Sequence, residues 1–214
     1  MPRALIFANG DFIHPDLIRS MIRSDDVVIA ADGGARHALT AGVVPSVIIG
    51  DMDSLTDAEL RDFSNLHVSL LRFPPEKDET DLELALLYAL NAGYKPVIIF
   101  GAFGGRLDQI LGNIAMLSNP DVSQVDVRLE DGLTEAFFVT GKAEIQGAPG
   151  DTVSFIPWGN PVEGVSTNGL LYPLNQETLL PHRTRSISNQ MLARSASINL
   201  SSGLLLCIHI RTPQ

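Results

Sequence analysis

The sequence has none of the features of a disulfide-rich or membrane-spanning protein. A single cysteine, Cys207, occurs among 214 residues, so no disulfide can form within the chain. Its position in the apolar run GLLLCIHI indicates a core residue, and we expect a reducing, cytoplasmic location. No apolar run reaches the roughly 18 residues expected of a membrane span. The opening MPRALIFANGD also shows no signal-peptide pattern, so we expect no membrane partner.

Basic residues are scarce. The chain has 15 Lys and Arg against 25 Asp and Glu, which gives a formal net charge of -10. Such a surface repels phosphate backbones, and we therefore expect no binding to nucleic acid. A nucleotide remains a possible ligand, because divalent cations can mediate its contact with an acidic protein.

The first 130 residues alternate between short β-branched runs and segments with helical spacing. This alternation predicts a doubly wound, mostly parallel sheet in a Rossmann-like three-layer α/β/α domain spanning residues 1–130. Thr80 and Glu83 match a capping box at the start of the clearest helix, and Gly93 is a stop signal at its end. The predicted strands are ALIFAN (4–9), VVIAAD (27–32), SVIIGD (46–51), VSLLRF (68–73), PVIIFGA (96–102) and QVDVRLED (124–131).

The sequence pattern changes after this segment. Short strand-like runs separated by Gly, Pro, Asn and Ser follow, and no helical pattern remains. Residues 131–214 are therefore predicted to form a second domain, a small antiparallel β-sandwich.

Polar residues and glycines follow each of the first five predicted strands. Ligands of open α/β sheets bind beyond the carboxyl ends of the strands, so these residues are candidates for one site. Taken singly, Asp32 is equally well a turn former, the Gly-Gly-Arg stretch a tight turn, and Asp81 a partner of its helix dipole. The candidates are Asn9, Asp32, Gly33, Gly34, Asp51, Asp53, Lys77, Asp78, Asp81, Gly104, Gly105, Arg106, Asp108 and Gln109.

Asp51 and Asp53 are the hardest of these to explain without a ligand, because they stand two residues apart at the end of a buried run. Carboxylates without nearby histidine or cysteine suit Mg²⁺, which is usually held by one or two carboxylates together with substrate phosphates. Glycine backbone N–H groups could approach the phosphates, and Lys77 and Arg106 could neutralise their charge. By contrast, Asp57, Glu59 and Asp62 are interpreted as a solvated helix face.

Three ordered blocks resemble those of thiamin pyrophosphokinases. They are ADGGARHALTAGVVPSVIIGDMDSL, FPPEKDETDLELAL and FGAFGGRLDQILGNIAML, and VSTNGLLYPL with SISNQ resembles the substrate-domain block of the same family. The resemblance implies transfer of the pyrophosphoryl group from ATP to the hydroxyl of thiamin, which yields thiamin diphosphate and AMP. It also implies a homodimer whose sites are shared between subunits.

The resemblance assigns roles by motif. Asp51, Asp53 and Asp81 would hold Mg²⁺ against ATP, with Asp32 and Asp78 completing the acidic crevice. Phosphate contacts are expected from Asn9, Gly33, Gly34, Lys77, Gly104, Gly105 and Arg106. Thiamin contacts are expected from Asp108, Gln109, Tyr172, Ser188 and Asn189.

Two features of the second domain leave the acceptor less well defined than ATP. The basic loop containing His182, Arg183 and Arg185 departs from the family pattern and is read as a solvated loop. Trp158 is either a packing residue or an alternative aromatic surface for thiamin. Two other functions therefore stay open: pyrophosphoryl transfer to another small alcohol, such as a hydroxymethyl-pterin, and a nucleotide-binding regulator without turnover.

Overall fold

The computed structural model describes residues 2–212, which form two compact units. The first unit contains the residues up to Met116 together with Val125–Gly132, and the second contains Leu117–Gln124 and the residues from Leu133 onward. Each unit has hydrophobic clusters of its own. Among residues 2–212, no helix combines the length and the apolar character needed to traverse a bilayer.

The first unit is built on six parallel strands in the order β6-β5-β1-β2-β3-β4. The strands are β1 (Ala4–Phe7), β2 (Val27–Ala31), β3 (Val47–Gly50), β4 (Ser69–Arg72), β5 (Val97–Phe100) and β6 (Val127–Glu130). The helices are α1 (Pro15–Met21), α2 (Gly34–Thr40), α3 (Asp57–Asn65), α4 (Asp81–Asn91) and α5 (Leu107–Leu117). All six predicted strands are confirmed, each shorter than its apolar run.

The central strands are buried on both faces, as their continuous apolar sequences predict. Leu5 and Phe7 of β1 pack with residues of α1 and α2, whereas α4 contacts β1, β2 and β3. Successive side chains of a strand point to opposite faces, so one face is covered by α1 and α2 and the other by α4. The predicted doubly wound α/β fold is confirmed.

Local signals in the sequence determine the helix ends. The Thr80 hydroxyl accepts a hydrogen bond from the N–H of Glu83 and starts α4. Gly93, at φ +80°, follows the end of this helix as predicted. A complete capping box forms at α3, where the Thr56 hydroxyl accepts from the N–H of Glu59 and the Glu59 carboxylate accepts from the N–H of Thr56.

The strand order places β1 at the point where the chain reverses its direction of winding. β2 lies on one side of β1 and β5 on the other. The segments that leave β1 and β5 therefore diverge and open a crevice at the carboxyl edge of the sheet, which is where ligands of such folds bind.

The second unit consists of two four-stranded antiparallel sheets and confirms the predicted β-sandwich. Phe137, Phe155, Ile145 and Val165 come from both sheets and share one buried cluster with Cys207, as expected of a core cysteine. The first sheet has the order β12-β9-β14-β7, and the second has the order β11-β10-β13-β8. Its elements are α6 (Pro120–Ser123), β7 (Thr134–Val139), β8 (Lys142–Gln146), β9 (Thr152–Pro157), β10 (Val162–Asn168), β11 (Glu177–Leu179), β12 (Asn189–Gln190), β13 (Ser195–Asn199) and β14 (Leu205–Ile210).

Candidate active site

A cavity of about 610 Å³ opens at the carboxyl edge of the parallel sheet, and every residue that lines it belongs to the first unit. Its walls come from the segments after β1, β2, β3 and β5, from the first turn of α4 and from one face of α5. Eight of the predicted site residues line it: Asn9, Asp32, Asp51, Asp53, Asp81, Gly104, Asp108 and Gln109.

Three carboxylates converge in this cavity. Asp32, Asp51 and Asp53 each offer one oxygen, and these oxygens all lie within 4.8 Å of one another. The three residues follow two neighbouring strands, β2 and β3, so the parallel pairing of these strands brings them together. Such a group of hard oxygen ligands has the chemistry of a Mg²⁺ site.

Asp32 is held in an unusual backbone conformation. Its φ of +44° is uncommon for a residue with a side chain, and two backbone hydrogen bonds fix it: its N–H donates to Ile49 O (2.9 Å) and its carbonyl accepts from the N–H of Ala35 (3.2 Å). The side chain is only 4% exposed, and its Oδ1 has no hydrogen-bond partner. A buried carboxylate oxygen without a partner is costly, and a bound cation would remove this cost.

The loop that carries Asp51 and Asp53 is braced by short polar contacts. The N–H of Asp53 donates to Asp51 Oδ1 (3.2 Å), and the Ser54 hydroxyl donates to Asp53 Oδ1 (3.3 Å). Asn9 Nδ2 in turn donates to the Ser54 hydroxyl oxygen (3.4 Å), which links the end of β1 to this loop.

An ion pair from α2 anchors the same loop. Arg36 donates to both Glu59 oxygens (2.5 and 2.8 Å) and to the backbone oxygen of Ser54 (2.6 Å). Hydrogen bonds from Arg36 and from Thr56 lower the pKa of Glu59 to about 2. Asp57 and Asp62 are exposed, as the interpretation of a solvated face predicts, whereas Glu59 is 30% exposed and its carboxylate also ties α3 to α2. The T-x-x-E sequence at 56–59 was the signal that could have revealed it.

Asp81 enters the cavity from the first turn of α4, and the backbone at Gly50 makes room for it. A Cβ at residue 50 would lie 2.9 Å from Asp81 Cγ and 3.1 Å from Asp32 Cβ, so a larger residue would push these side chains apart. Burial raises the pKa of Asp81, and the negative charges of Asp51 and Asp32 add to this effect, while Lys77 opposes it.

Lys77 lies beside these carboxylates. Its ammonium is 3.0 Å from Asp81 Oδ1, although not in hydrogen-bonding geometry, and 3.9 Å from Asp51 Oδ2. The Asp81 carboxylate raises the pKa of Lys77. Asp78, the next residue, is exposed and lies outside the lining of the cavity.

Only some of the predicted glycines line the cavity. Gly104 lines the cavity, whereas Gly33, Gly34 and Gly105 do not. A Cβ on Gly34 would collide with the Phe7 carbonyl, so this glycine allows α2 to pack closely on β1.

Arg106 and Asp108 form an exposed ion pair next to the cavity, with Arg106 Nη2 and Asp108 Oδ2 separated by 2.5 Å. Hydrogen bonding from Arg106 lowers the pKa of Asp108. Asp108 and Gln109 contribute to the lining, whereas Arg106 does not.

One face of α5 was overlooked in the sequence. Gln109, Gly112, Asn113 and Met116 all line the cavity at the i, i+3, i+4, i+7 spacing of a single helix face. Asn113 Nδ2 also donates to the backbone oxygen of Ala102 (2.9 Å) and so fixes the segment after β5. This periodicity, starting from the predicted Gln109, was the signal that could have identified them.

The predicted thiamin residues of the second unit form a cluster of their own. Asn189 is buried, and its side chain accepts from the N–H of Tyr172 (3.0 Å) and donates to the carbonyl of Tyr172 (2.7 Å). Ser188 adopts φ +60°, and its N–H donates to the Ser154 hydroxyl (3.0 Å). The Tyr172 side chain is 59% exposed. Asn189 thus holds the segment that presents Tyr172 to solvent.

The remaining aromatic and basic candidates have neighbours within the second unit. Trp158 packs edge to face on Phe138, with ring centroids 5.5 Å apart, which favours the packing role. His182, Arg183 and Arg185 are exposed, and Arg185 pairs with Glu177 at 3.0 Å.

Comparisons with known proteins cover both units. A family model described as "Thiamin pyrophosphokinase, catalytic domain" matches residues 18–129, and one described as "Thiamin pyrophosphokinase, vitamin B1 binding domain" matches residues 142–205. Thiamine pyrophosphokinase of Bacillus subtilis (strain 168) is 33% identical over 182 residues, covering 84% of this chain and 85% of the relative. Thiamine pyrophosphokinase 1 of Arabidopsis thaliana is 27% identical over 207 residues, covering 86% of this chain and 78% of the relative.

A solved structure agrees with these sequence matches. The crystal structure of thiamine pyrophosphokinase from Bacillus subtilis has a TM-score of 0.89 and 29% identity, and the alignment covers 99% of this chain and 100% of that chain. The catalytic-domain model alone matches more than half of the sequence. This chain therefore belongs to the thiamin pyrophosphokinase family.

Proposed function

We infer that this chain is an ATP-dependent enzyme that transfers the pyrophosphoryl group of ATP to the hydroxyl of thiamin, with AMP as the second product. Membership of the family supports the overall reaction. The observation that carries the chemistry is the convergence of Asp32, Asp51 and Asp53 within one cavity at the carboxyl edge of the sheet. A triphosphate can approach such an acidic site only when a cation offsets the charge.

We propose that the required cation is Mg²⁺. The chemistry of the donor set fits, since all three oxygens come from carboxylates and Asp32 Oδ1 has no hydrogen-bond partner. By the family motif Asp51, Asp53 and Asp81 would hold the ion, and Asp32, whose carboxylate oxygen lies within 4.8 Å of those of Asp51 and Asp53, would complete the acidic wall and could supply a further ligand oxygen. When bound, Mg²⁺ supplies charge neutralisation at the phosphate oxygens.

The protein groups around the cation would position ATP for attack at its β phosphorus. Asn9 and Gly104 line the cavity and would contact the nucleotide, with Gly33, Gly34 and Gly105 as further predicted contacts. Lys77 and Arg106 would neutralise charge on the transferred group. Asp78, which does not line the cavity, would add to the negative charge around the metal. Transfer of this kind depends on in-line placement and charge neutralisation, which such a set of groups provides without covalent catalysis.

Thiamin is the proposed acceptor, with Asp108 and Gln109 in the first unit and Tyr172, Ser188 and Asn189 in the second. Tyr172 is exposed and could lie against the cationic thiazolium ring. Replacing it with alanine should raise the thiamin KM about fivefold or more with little change in kcat. Trp158→Phe is the matched control because Trp158 packs on Phe138, and its KM should not change. An unchanged KM in Tyr172→Ala would remove Tyr172 from the acceptor site.

The assignment is tested by incubating the chain with ATP, Mg²⁺ and thiamin and resolving the nucleotide products. Formation of AMP together with thiamin diphosphate is expected. Formation of ADP would contradict pyrophosphoryl transfer. Turnover with a hydroxymethyl-pterin but not with thiamin would retain the ATP chemistry and replace the acceptor.

We also propose a cytoplasmic homodimer in which catalytic and thiamin-binding residues come from different subunits. Exposed apolar side chains near Tyr172, namely Leu171 and Leu192, support a contact surface on the second unit. Mixing Asp53→Asn with Tyr172→Ala subunits should produce a fraction of activity with the wild-type thiamin KM, which neither variant has alone, because a mixed dimer with shared sites regains one intact site. Light scattering that shows a monomer, or a mixture without this fraction, would contradict the arrangement.

A further inference from the structure

Lys77 is held in place by the loop between β4 and α4. Its N–H donates to Pro75 O (3.1 Å), and its ammonium donates to Pro74 O (3.3 Å). The side chain is only 12% exposed even though lysine normally extends into solvent. Its ammonium is directed at Asp81 and Asp51, two of the residues assigned to the metal.

Lys77 faces the proposed metal ligands, whereas the arginines near the cavity pair with other residues. Arg36 is engaged with Glu59 and the Ser54 carbonyl, and Arg106 with Asp108. Among the described residues that line the cavity there is no Lys or Arg. The carboxylates at the centre of the site thus have Lys77 as their nearby basic side chain.

We propose that Lys77 is an internal counter-ion that competes with the divalent cation for Asp51 and Asp81. This inference rests on the metal site proposed above. The ammonium partly neutralises the carboxylates in the ligand-free protein, and its positive charge repels a free divalent ion. Free metal therefore binds weakly.

The triphosphate of ATP changes this balance. Its negative charges offer Lys77 a new partner, so the lysine can leave Asp81 and Asp51 when nucleotide and metal enter together. Binding of metal and of nucleotide is then strongly coupled, and by linkage each increases the affinity for the other by the same factor. Lys77 acts here as a positioning residue that weakens binding of the metal alone.

The test measures Mn²⁺ binding by electron paramagnetic resonance, with and without α,β-methylene-ATP, which cannot transfer its pyrophosphoryl group. Lys77→Gln removes the charge, and its affinity for Mn²⁺ without nucleotide should increase about tenfold, since a positive charge 3.0 Å from Asp81 Oδ1 and 3.9 Å from Asp51 Oδ2 is lost. The factor by which the analogue increases Mn²⁺ affinity should fall. Lys142→Gln is the matched control, because Lys142 is an exposed lysine of β8, and it should behave as the wild type.

The outcomes separate this inference from the metal site itself. If the wild type shows no Mn²⁺ binding even with the analogue, the metal site is rejected and the role of Lys77 with it. If the wild type binds Mn²⁺ with the analogue but Lys77→Gln has an unchanged or weaker affinity for free Mn²⁺, the role of Lys77 alone is overturned. A folding defect cannot imitate the expected result, because it would weaken metal binding.

A second measurement uses stability instead of binding. In EDTA, the unfolding temperature of Lys77→Gln should be lower than that of the wild type, because Asp81 and Asp51 lose the neighbouring ammonium. Added Mn²⁺ should restore the unfolding temperature. Lys77→Arg keeps the charge and should retain the wild-type behaviour. Equal unfolding temperatures of the wild type and Lys77→Gln in EDTA would contradict the proposal.

Discussion

The two units differ in whether their buried carboxylates have partners within the protein. In the first, Asp32 is buried with one oxygen lacking any hydrogen bond, and it stands close to Asp51 and Asp53. In the second, Glu135 and Asp151 are also buried, yet His209 lies between them. His209 Nδ1 is 2.9 Å from Glu135 Oε1, and its Nε2 is 3.1 Å from Asp151 Oδ2.

The buried acidic groups of the second unit are fully provided with partners. Asp151 also accepts hydrogen bonds from the N–H groups of Thr212 (2.9 Å) and Ala148 (2.8 Å), and Arg211 lies 3.7 Å from Glu135. The fold itself satisfies these charges. In the first unit the fold leaves one oxygen of Asp32 without a partner, which is expected of a binding site and not of a structural charge cluster.

The largest effect, on turnover, is expected at the cluster of Asp32, Asp51 and Asp53. Asp53→Asn removes one of the proposed metal ligands and should lower turnover at least about a hundredfold, because charge neutralisation by the cation contributes several kcal/mol. The unfolding temperature should not fall, since one of three adjacent negative charges is removed. Steady-state kinetics and thermal unfolding measure both. The control is Asp62→Asn on the exposed face of α3, and near-normal turnover in Asp53→Asn would exclude this residue from the metal site.

Mutation of the cluster of Glu135, Asp151 and His209 should lower the stability of the protein. His209→Leu leaves Glu135 and Asp151 buried without their shared partner, and we expect a loss of about 3–5 kcal/mol in the free energy of unfolding. Urea denaturation followed by circular dichroism would measure it. His182→Leu, in the exposed basic loop, is the control. A loss no larger than that of the control would show that the cluster does not hold the second unit together.

A smaller, pH-dependent effect is expected at Asp151. Burial raises its pKa, but hydrogen bonds from Thr212, Ala148 and His209 outweigh burial, so its pKa in the folded protein lies below the ordinary value of 3.8. Its stabilising contribution is therefore complete above that value and is lost as the pH falls through the lower, folded pKa. The stability difference between the wild type and Asp151→Asn should shrink as the pH falls below about 4.

This dependence can be followed by thermal unfolding between pH 7 and pH 3. Glu144→Gln, on an exposed position of β8, serves as the control for loss of a negative charge. A difference between wild type and Asp151→Asn that stays constant over this range would contradict the assignment.

The smallest effect on stability is expected at the edge of the catalytic cavity. Arg106 and Asp108 form an ion pair whose side chains are 70% and 65% exposed, and such pairs contribute little because water and salt screen them. Arg106→Gln should leave the unfolding temperature unchanged while lowering kcat, if the proposed phosphate contact of Arg106 is lost. A clear loss of stability would show instead that this exposed pair holds α5 in place.

Much of the first unit could be predicted from short segments. The apolar runs before Asn9, Asp32 and Asp51 became buried parallel strands, and the carboxyl ends of parallel strands share one edge. Asn9, Asp32, Asp51 and Asp53 were therefore predictable as neighbours. The cap at Thr80 and the stop at Gly93 were equally local signals.

Other contacts could not be read from short segments. Glu59 looked like a solvated residue because its partner Arg36 lies 23 positions away on another helix. His209 is 74 residues from Glu135 and 58 from Asp151, and only the pairing of β14 with β7 and β9 brings these side chains together. The contact of Lys77 with Asp51 likewise joins a loop to a separate strand end.

The sequence by itself determined the two folds, the edge of the sheet that carries the acidic residues, and the resemblance to the family. These depend on periodicity, capping and motif order, which act over a few residues. The tertiary structure decided which charges are satisfied within the protein and which are left for a ligand, because that depends on the burial and distance of side chains far apart in the chain.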